Sequence, residues 1–152
     1  MYYSHMKETP PAQQGATPSA EELMGALLHS AHALEKRFDE ALARVGLSGP
    51  KYRALTVLLE AGAPATLSEC AEKMSCVRSN ITQLMDRLEA DGLVQRVGDV
   101  SDRRSVRAEL SALGRERQAA GAVEVAKLQA EFMKSLSGID HAALKRLLLA
   151  VT

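Results

Sequence analysis

A chain of 152 residues with 46% hydrophobic and 25% charged side chains has ample material for one packed domain, or a small domain with a helical appendage, and is not generally disordered. No apolar run approaches the roughly 20 residues that cross a bilayer, no basic-then-apolar leader opens the sequence, and two cysteines are too few for a disulfide scaffold; a cytoplasmic protein with no membrane partner is expected. The formal net charge is zero and aromatic content is 3% with no Trp, which argues against single-strand stacking platforms and leaves any duplex-DNA footprint to local charge.

In chain order, residues 1–5 precede a second Met, Met6, and are expected to be vector-derived. Residues 1–17, with Pro10, Pro11, Gln13, Gln14 and Gly15, are expected to form a disordered tail. Leu23, Leu27, Leu34, Phe38 and Leu42 recur at helix-face spacing behind a Ser19/Glu22 capping box, so a long first helix is predicted up to Gly46. Ser48 is placed to cap a second helix carrying Tyr52, Leu55, Leu58 and Leu59, which stops at Gly62-Ala63-Pro64. Thr66 and Glu69 form another capping box, and Leu67, Cys70, Ala71 and Met74 make one face of a short third helix.

A turn at residues 75–77 leads into a fourth helix with Ile81, Leu84, Met85 and Leu88 on its buried face, ending at Asp91-Gly92. The period then changes. Residues 93–97 and 105–110 are predicted strands of a hairpin with a charged tip. Ser111 is placed to cap a long fifth helix with a Val125, Leu128, Phe132, Leu136 stripe that ends at Gly138, and Asp140 starts a short last helix.

Two helices joined by a short turn and followed by a β-hairpin have the layout of a winged helix-turn-helix, giving a mainly α fold with a small β-hairpin wing. Because the apolar set fixes the inner face of the fourth helix, its opposite face carries Arg78, Ser79, Thr82, Gln83, Asp86 and Arg87. Hydroxyl, amide and guanidinium groups at that end are the ones that reach base edges and phosphates in a major groove, and the helix N-terminus offers free N–H groups to a phosphate. At the hairpin tip, Arg103 and Arg104 are placed to enter a minor groove, with Asp102 orienting one of them. Either element alone is also what an ordinary solvated surface looks like. Together and in this order they favour DNA.

The runs Leu67-Ser68-Glu69-Cys70-Ala71-Glu72-Lys73-Met74 and Arg78-Ser79-Asn80-Ile81-Thr82-Gln83-Leu84-Met85-Asp86-Arg87-Leu88-Glu89-Ala90-Asp91-Gly92-Leu93-Val94, then Asp99 to Val106 with its Asp-Arg-Arg, resemble the MarR (multiple antibiotic resistance regulator) family. The match is strong over residues 66–114. The resemblance implies a homodimer built from the first, fifth and sixth helices, with a helical dimerisation region at 18–47 and 112–152 and a DNA-binding lobe at 48–111. It implies double-stranded DNA with a palindromic operator as partner, its half-sites about 34–36 Å apart. Carried over by position, Arg78, Ser79, Asn80, Thr82 and Gln83, with Arg87 on the same face, are recognition-helix contacts, and Arg103 with Asp102 and Arg104 makes the wing contact. Repression relieved by a small aromatic or phenolic effector is the family's usual habit; His29, His32, Tyr52 and Arg53 are the effector residues this analogy suggests.

Three positions depart from the family pattern: Cys70 replaces an apolar residue, Cys76 a small aliphatic one, and Val77 a capping Asp or Ser. Some relatives sense oxidants through cysteine, which makes Cys70 and Cys76 redox candidates. Packing explains Cys70 better, because it falls on the core face of its helix. His29 and His32 one turn apart, with His141 far along the chain, lack a Cys or carboxylate cluster, so neither a metal nor a cofactor is expected. Met74 and Met85 sit at core positions and fill gaps. An enzyme would need a Gly-rich phosphate loop, a Gly-x-Ser-x-Gly elbow or paired catalytic carboxylates, and the sequence has none. A winged-helix module that binds only protein has no need of polar and basic groups on both recognition face and wing tip.

Overall fold

The computed structural model describes residues 17–98 and 106–151. The chain divides into two units after Ala33, and the first helix, α1 (Ala20–Ala43), begins in one and ends in the other. In the first unit the Ser19/Glu22 box forms as expected: Ser19 N–H donates to Glu22 Oε2 at 2.8 Å, and Glu22 N–H to Ser19 Oγ at 3.2 Å. Every described residue of this unit is exposed, including Leu23, Met24, Leu27 and Leu28.

The second unit holds the core. Its elements are the end of α1, then α2 (Gly49–Ala61), β1 (Ala65–Thr66), α3 (Leu67–Lys73), α4 (Arg78–Ala90), β2 (Val94–Gly98), β3 (Val106–Leu110), α5 (Ala112–Ser135) and α6 (His141–Ala150). Leu42, Leu55, Cys70, Ile81, Met85 and Leu88 are fully buried, so α1 to α4 each lend a residue to one cluster. Removing each large aliphatic side chain from water is worth roughly 1.5–3 kcal/mol. Where three or more helices share such residues, their crossing geometry is set by the core rather than by helix propensity.

Helix ends follow local chemistry. Ser48 has the extended backbone of an N-cap, but its side chain makes no capping bond; Gly49 N–H donates instead to Asp39 Oδ1 at 3.3 Å. Thr66 and Glu69 form the reciprocal box predicted for α3. Ser111 Oγ accepts from Gly114 N–H, and Asp140 accepts from the first N–H groups of α6. Helix α5 closes at Ser135, before the Gly138 expected to end it.

The sheet is antiparallel in the order β1-β3-β2. Val94 pairs with Leu110 and Gly98 with Val106, which forms the expected hairpin, while Ala65 and Thr66 pair with Ala108 and Arg107. Strand β1 is the element not predicted. Two residues carry no alternation, and their strand character comes from a partner some forty positions later. The disordered-tail reading for residues 1–16 falls outside the described residues.

Candidate nucleic-acid interface

Helices α3 and α4 are joined by a tight turn in which Ser75 adopts φ 51°, the left-handed region that glycine enters freely and other residues uncommonly. Cys76 N–H closes the turn on Ala71 O at 3.0 Å. Helix α4 then starts at Val77, whose side chain supplies no capping acceptor. The opening N–H groups of α4 therefore have no side-chain N-cap, although Asn80 N–H bonds to Val77 O at 3.0 Å.

The two faces of α4 separate sharply. Ile81, Met85 and Leu88 are fully buried and Leu84 is half-buried; Ser79, Asn80, Thr82, Gln83, Asp86 and Arg87 are exposed. A helix whose polar face bears hydroxyls, amides and a guanidinium can donate and accept along a groove edge. Among the described residues, Arg87 is in no ion pair.

Its carboxylates are held. Arg96, on β2, donates through Nη2 to Asp86 Oδ1, and its Nε lies 3.5 Å from Glu89 Oε2. Sequence reasoning placed Asp86 on the exposed face and missed this partner, because no local spacing links a helix residue to a strand ten positions on. Arg107 was missed for the same reason. It donates to Pro64 O at 3.1 Å and lies 4.0 Å from Glu69, tying β3 to the entrance of α3. Backbone and side-chain hydrogen bonds from Thr66 hold the Glu69 carboxyl below its usual range.

The pairing of β2 with β3 brings Gly98 opposite Val106. Asp102, Arg103 and Arg104, and the Arg78 side chain, lie outside the described residues.

A cleft of about 660 Å³ adjoins α4. Phe38, Pro50, Met74 and Leu84 supply apolar wall, while Arg53, Asn80, Gln83 and Arg87 supply polar groups. Of the four residues suggested for an effector, Arg53 is on this wall. Tyr52 turns its ring edge-on to Phe38 at 6.2 Å between centroids and covers Gly121. His29 and His32 are exposed on the first unit. Cys70 is fully buried and Cys76 half-buried; burial pushes the Cys70 thiol above its ordinary pKa. His141 bonds to Leu136 O at 3.2 Å, and among the described residues no group of three His, Cys, Asp or Glu is placed to hold a metal ion.

Comparison with known proteins agrees with this geometry. Residues 47–106 match the sequence profile of the MarR family. The chain is 36% identical over 84 residues to YsmB, an uncharacterized HTH-type transcriptional regulator of Bacillus subtilis (strain 168), across 55% of this chain and 57% of that protein. The chain thus spans little more than half the length of that curated relative. A MarR family protein from Bacillus stearothermophilus is 30% identical, with a TM-score of 0.63 over 86% of this chain and 91% of that one. A MarR-like transcription regulator from Bacillus cereus ATCC 10987 superposes with a TM-score of 0.74 at 26% identity, over 86% of this chain and 93% of that one. Among the described residues no helix is long and apolar enough to cross a membrane.

Proposed function

The chain belongs to the MarR family, and from that premise we propose that it is a cytoplasmic transcriptional regulator that binds double-stranded DNA as a homodimer. The observation that carries this reading is the division of α4. Its apolar face is sealed in the core, while Ser79, Asn80, Thr82, Gln83 and Arg87 stand exposed together. Ser79, Asn80, Thr82 and Gln83 read base edges, and Arg78 and Arg87 neutralise phosphates. The uncapped start of α4 directs N–H groups at a phosphate. Arg103, with Asp102 and Arg104, extends the contact into the minor groove.

Exposed apolar side chains at both ends of the chain support the dimer. Leu147, Leu149 and Val151 are exposed on α6 and its end, and Leu23, Met24 and Leu28 on the first unit. A second copy would remove this surface from water. Two copies related by a two-fold axis recognise a palindrome. The regulator acts as a repressor, and a small aromatic or phenolic effector in the cleft beside Arg53 lowers its DNA affinity.

The test is selection of duplexes from a random library, followed by fluorescence anisotropy on the enriched site across a salt series. A palindromic site that is bound tightly, resists excess random duplex and weakens with salt is the expected result. Failure to enrich any site sinks the reading and favours a winged-helix module that binds protein.

A further inference from the structure

The recognition helix carries three charged side chains beyond its first turn, Asp86, Arg87 and Glu89, and two of them are acidic. Asp86 and Glu89 are three positions apart, so they share a face. Unpaired, they would set two negative charges on a helix that must approach a polyanion. One guanidinium holds both: Arg96 Nη2 donates to Asp86, and Nε faces Glu89 at 3.5 Å. This arginine comes from β2, the strand that leads into the wing.

The cluster's exposure decides between two roles. The side chains of Arg96, Asp86 and Glu89 are 33%, 55% and 41% exposed. Ion pairs so open to water add little to folding stability, because solvent screens the attraction and ordering three long side chains costs entropy. The same charges act at much fuller strength on a duplex that docks against them and displaces the water. We propose that Arg96 is a positioning residue for DNA recognition: it draws the Asp86 and Glu89 carboxylates to the strand and cancels much of their charge. The exposed cationic and amide groups of α4 are thereby left to meet the phosphates. This inference rests on the DNA-binding reading above.

The experiment compares the full-length parent with Arg96→Gln, Asp86→Asn and the combination Asp86→Asn/Glu89→Gln/Arg96→Gln, on the duplex enriched by selection and on a mixed-sequence duplex. Affinity and salt slope are read by anisotropy, and thermal melting checks each fold. Arg96→Gln weakens binding about tenfold on both duplexes, as expected for two unmasked charges near phosphates. The combination returns affinity to within about threefold of the parent, because the charges that needed masking are gone. Asp86→Asn, the variant least able to disturb the fold, binds as the parent does or slightly tighter.

Loss without rescue in the combination overturns the proposal and makes Arg96 itself a DNA contact. A large loss in Asp86→Asn also overturns it and makes Asp86 a base reader, accepting from a cytosine amine. Unchanged affinity in Arg96→Gln overturns it while leaving the DNA reading intact. A parent that binds no duplex removes both.

Discussion

Gly114 lies flush against the backbone of Leu93: a methyl group on its Cα would sit 1.9 Å from the Leu93 carbonyl oxygen and 2.9 Å from the carbonyl carbon. That oxygen also accepts the Ser111 N–H at 3.1 Å, and Ser111 Oγ accepts from Gly114 N–H at 2.9 Å. The first turn of α5 is thus pinned onto the residue that opens the hairpin. Gly114→Ala must push backbone apart and is expected to cost about 1–3 kcal/mol in urea unfolding, or to prevent folding. Gly25 in α1 is the counter-case, since nothing stands within 4 Å of an added Cβ. Gly25→Ala is expected to raise stability by about 0.5–1 kcal/mol through helix propensity alone. Equal effects at the two positions would refute the contact as the cause.

Features set by neighbours in sequence were legible before the structure. Both capping boxes form, Val77 leaves α4 uncapped, and the apolar residues of α4 point inward, because each depends on spacings of three or four residues. Ser48 illustrates the limit. Its identity promised a cap, but the acceptor at the start of α2 is Asp39, ten positions earlier and on another helix. Strand β1, the Arg107 contact with Pro64 and the Arg96 cluster share that origin. Each is created by chain segments that meet only after the core has formed, so no local pattern announces them.

Acid should weaken the helix starts in a defined direction. Glu22 and Glu69 have pKa values below the ordinary 4.5, chiefly because they accept N–H bonds from Ser19 and Thr66; Glu124 is lowered chiefly by its hydrogen bond from Lys127. A carboxylate lowered on folding adds stability that is present above its unfolded pKa and lost as pH falls through the folded value. Melting temperature should therefore hold from neutrality to about pH 5 and decline below pH 4.5. Thr66→Ala, which removes the cap and the hydroxyl, should lower stability by about 1 kcal/mol at pH 7. It should also flatten that acid decline, and an acid limb as steep as the parent's would contradict the assignment.

The two thiols should differ in reactivity. Cys70 is fully buried and its pKa is raised, first by burial and then by the Glu69 charge, so it stays protonated at neutral pH. Cys76 is half-buried on the cleft wall. In native protein, maleimide should modify Cys76 first, with Cys70 reacting only when denaturant opens the core. In a Cys76→Ser variant, labelling should wait for unfolding. Native-state labelling of Cys70 in that variant would refute its inert packing role and reopen oxidant sensing at this site.

Arg87 and Gln83 lie one turn apart on the exposed face of α4, but their chemistry separates their effects. Neither side chain supports the core, so Arg87→Ala and Gln83→Ala should each melt within about 0.5 kcal/mol of the parent. Arg87 ends in a charge that is in no ion pair among the described residues, suited to a phosphate on any sequence. Its loss should weaken binding to the enriched and the mixed-sequence duplex alike and reduce the salt slope by about one. Gln83 ends in an amide that can both donate and accept at a base edge. Its loss should cost about 1–3 kcal/mol on the enriched site, little on the mixed duplex, and leave the salt slope alone. If Gln83→Ala lowered affinity equally on both duplexes, it would be a backbone contact and the sequence reader would have to be sought at Asn80 or Thr82. If Arg87→Ala altered which sequences are preferred, its guanidinium would be reading a base, with guanine the partner its geometry favours.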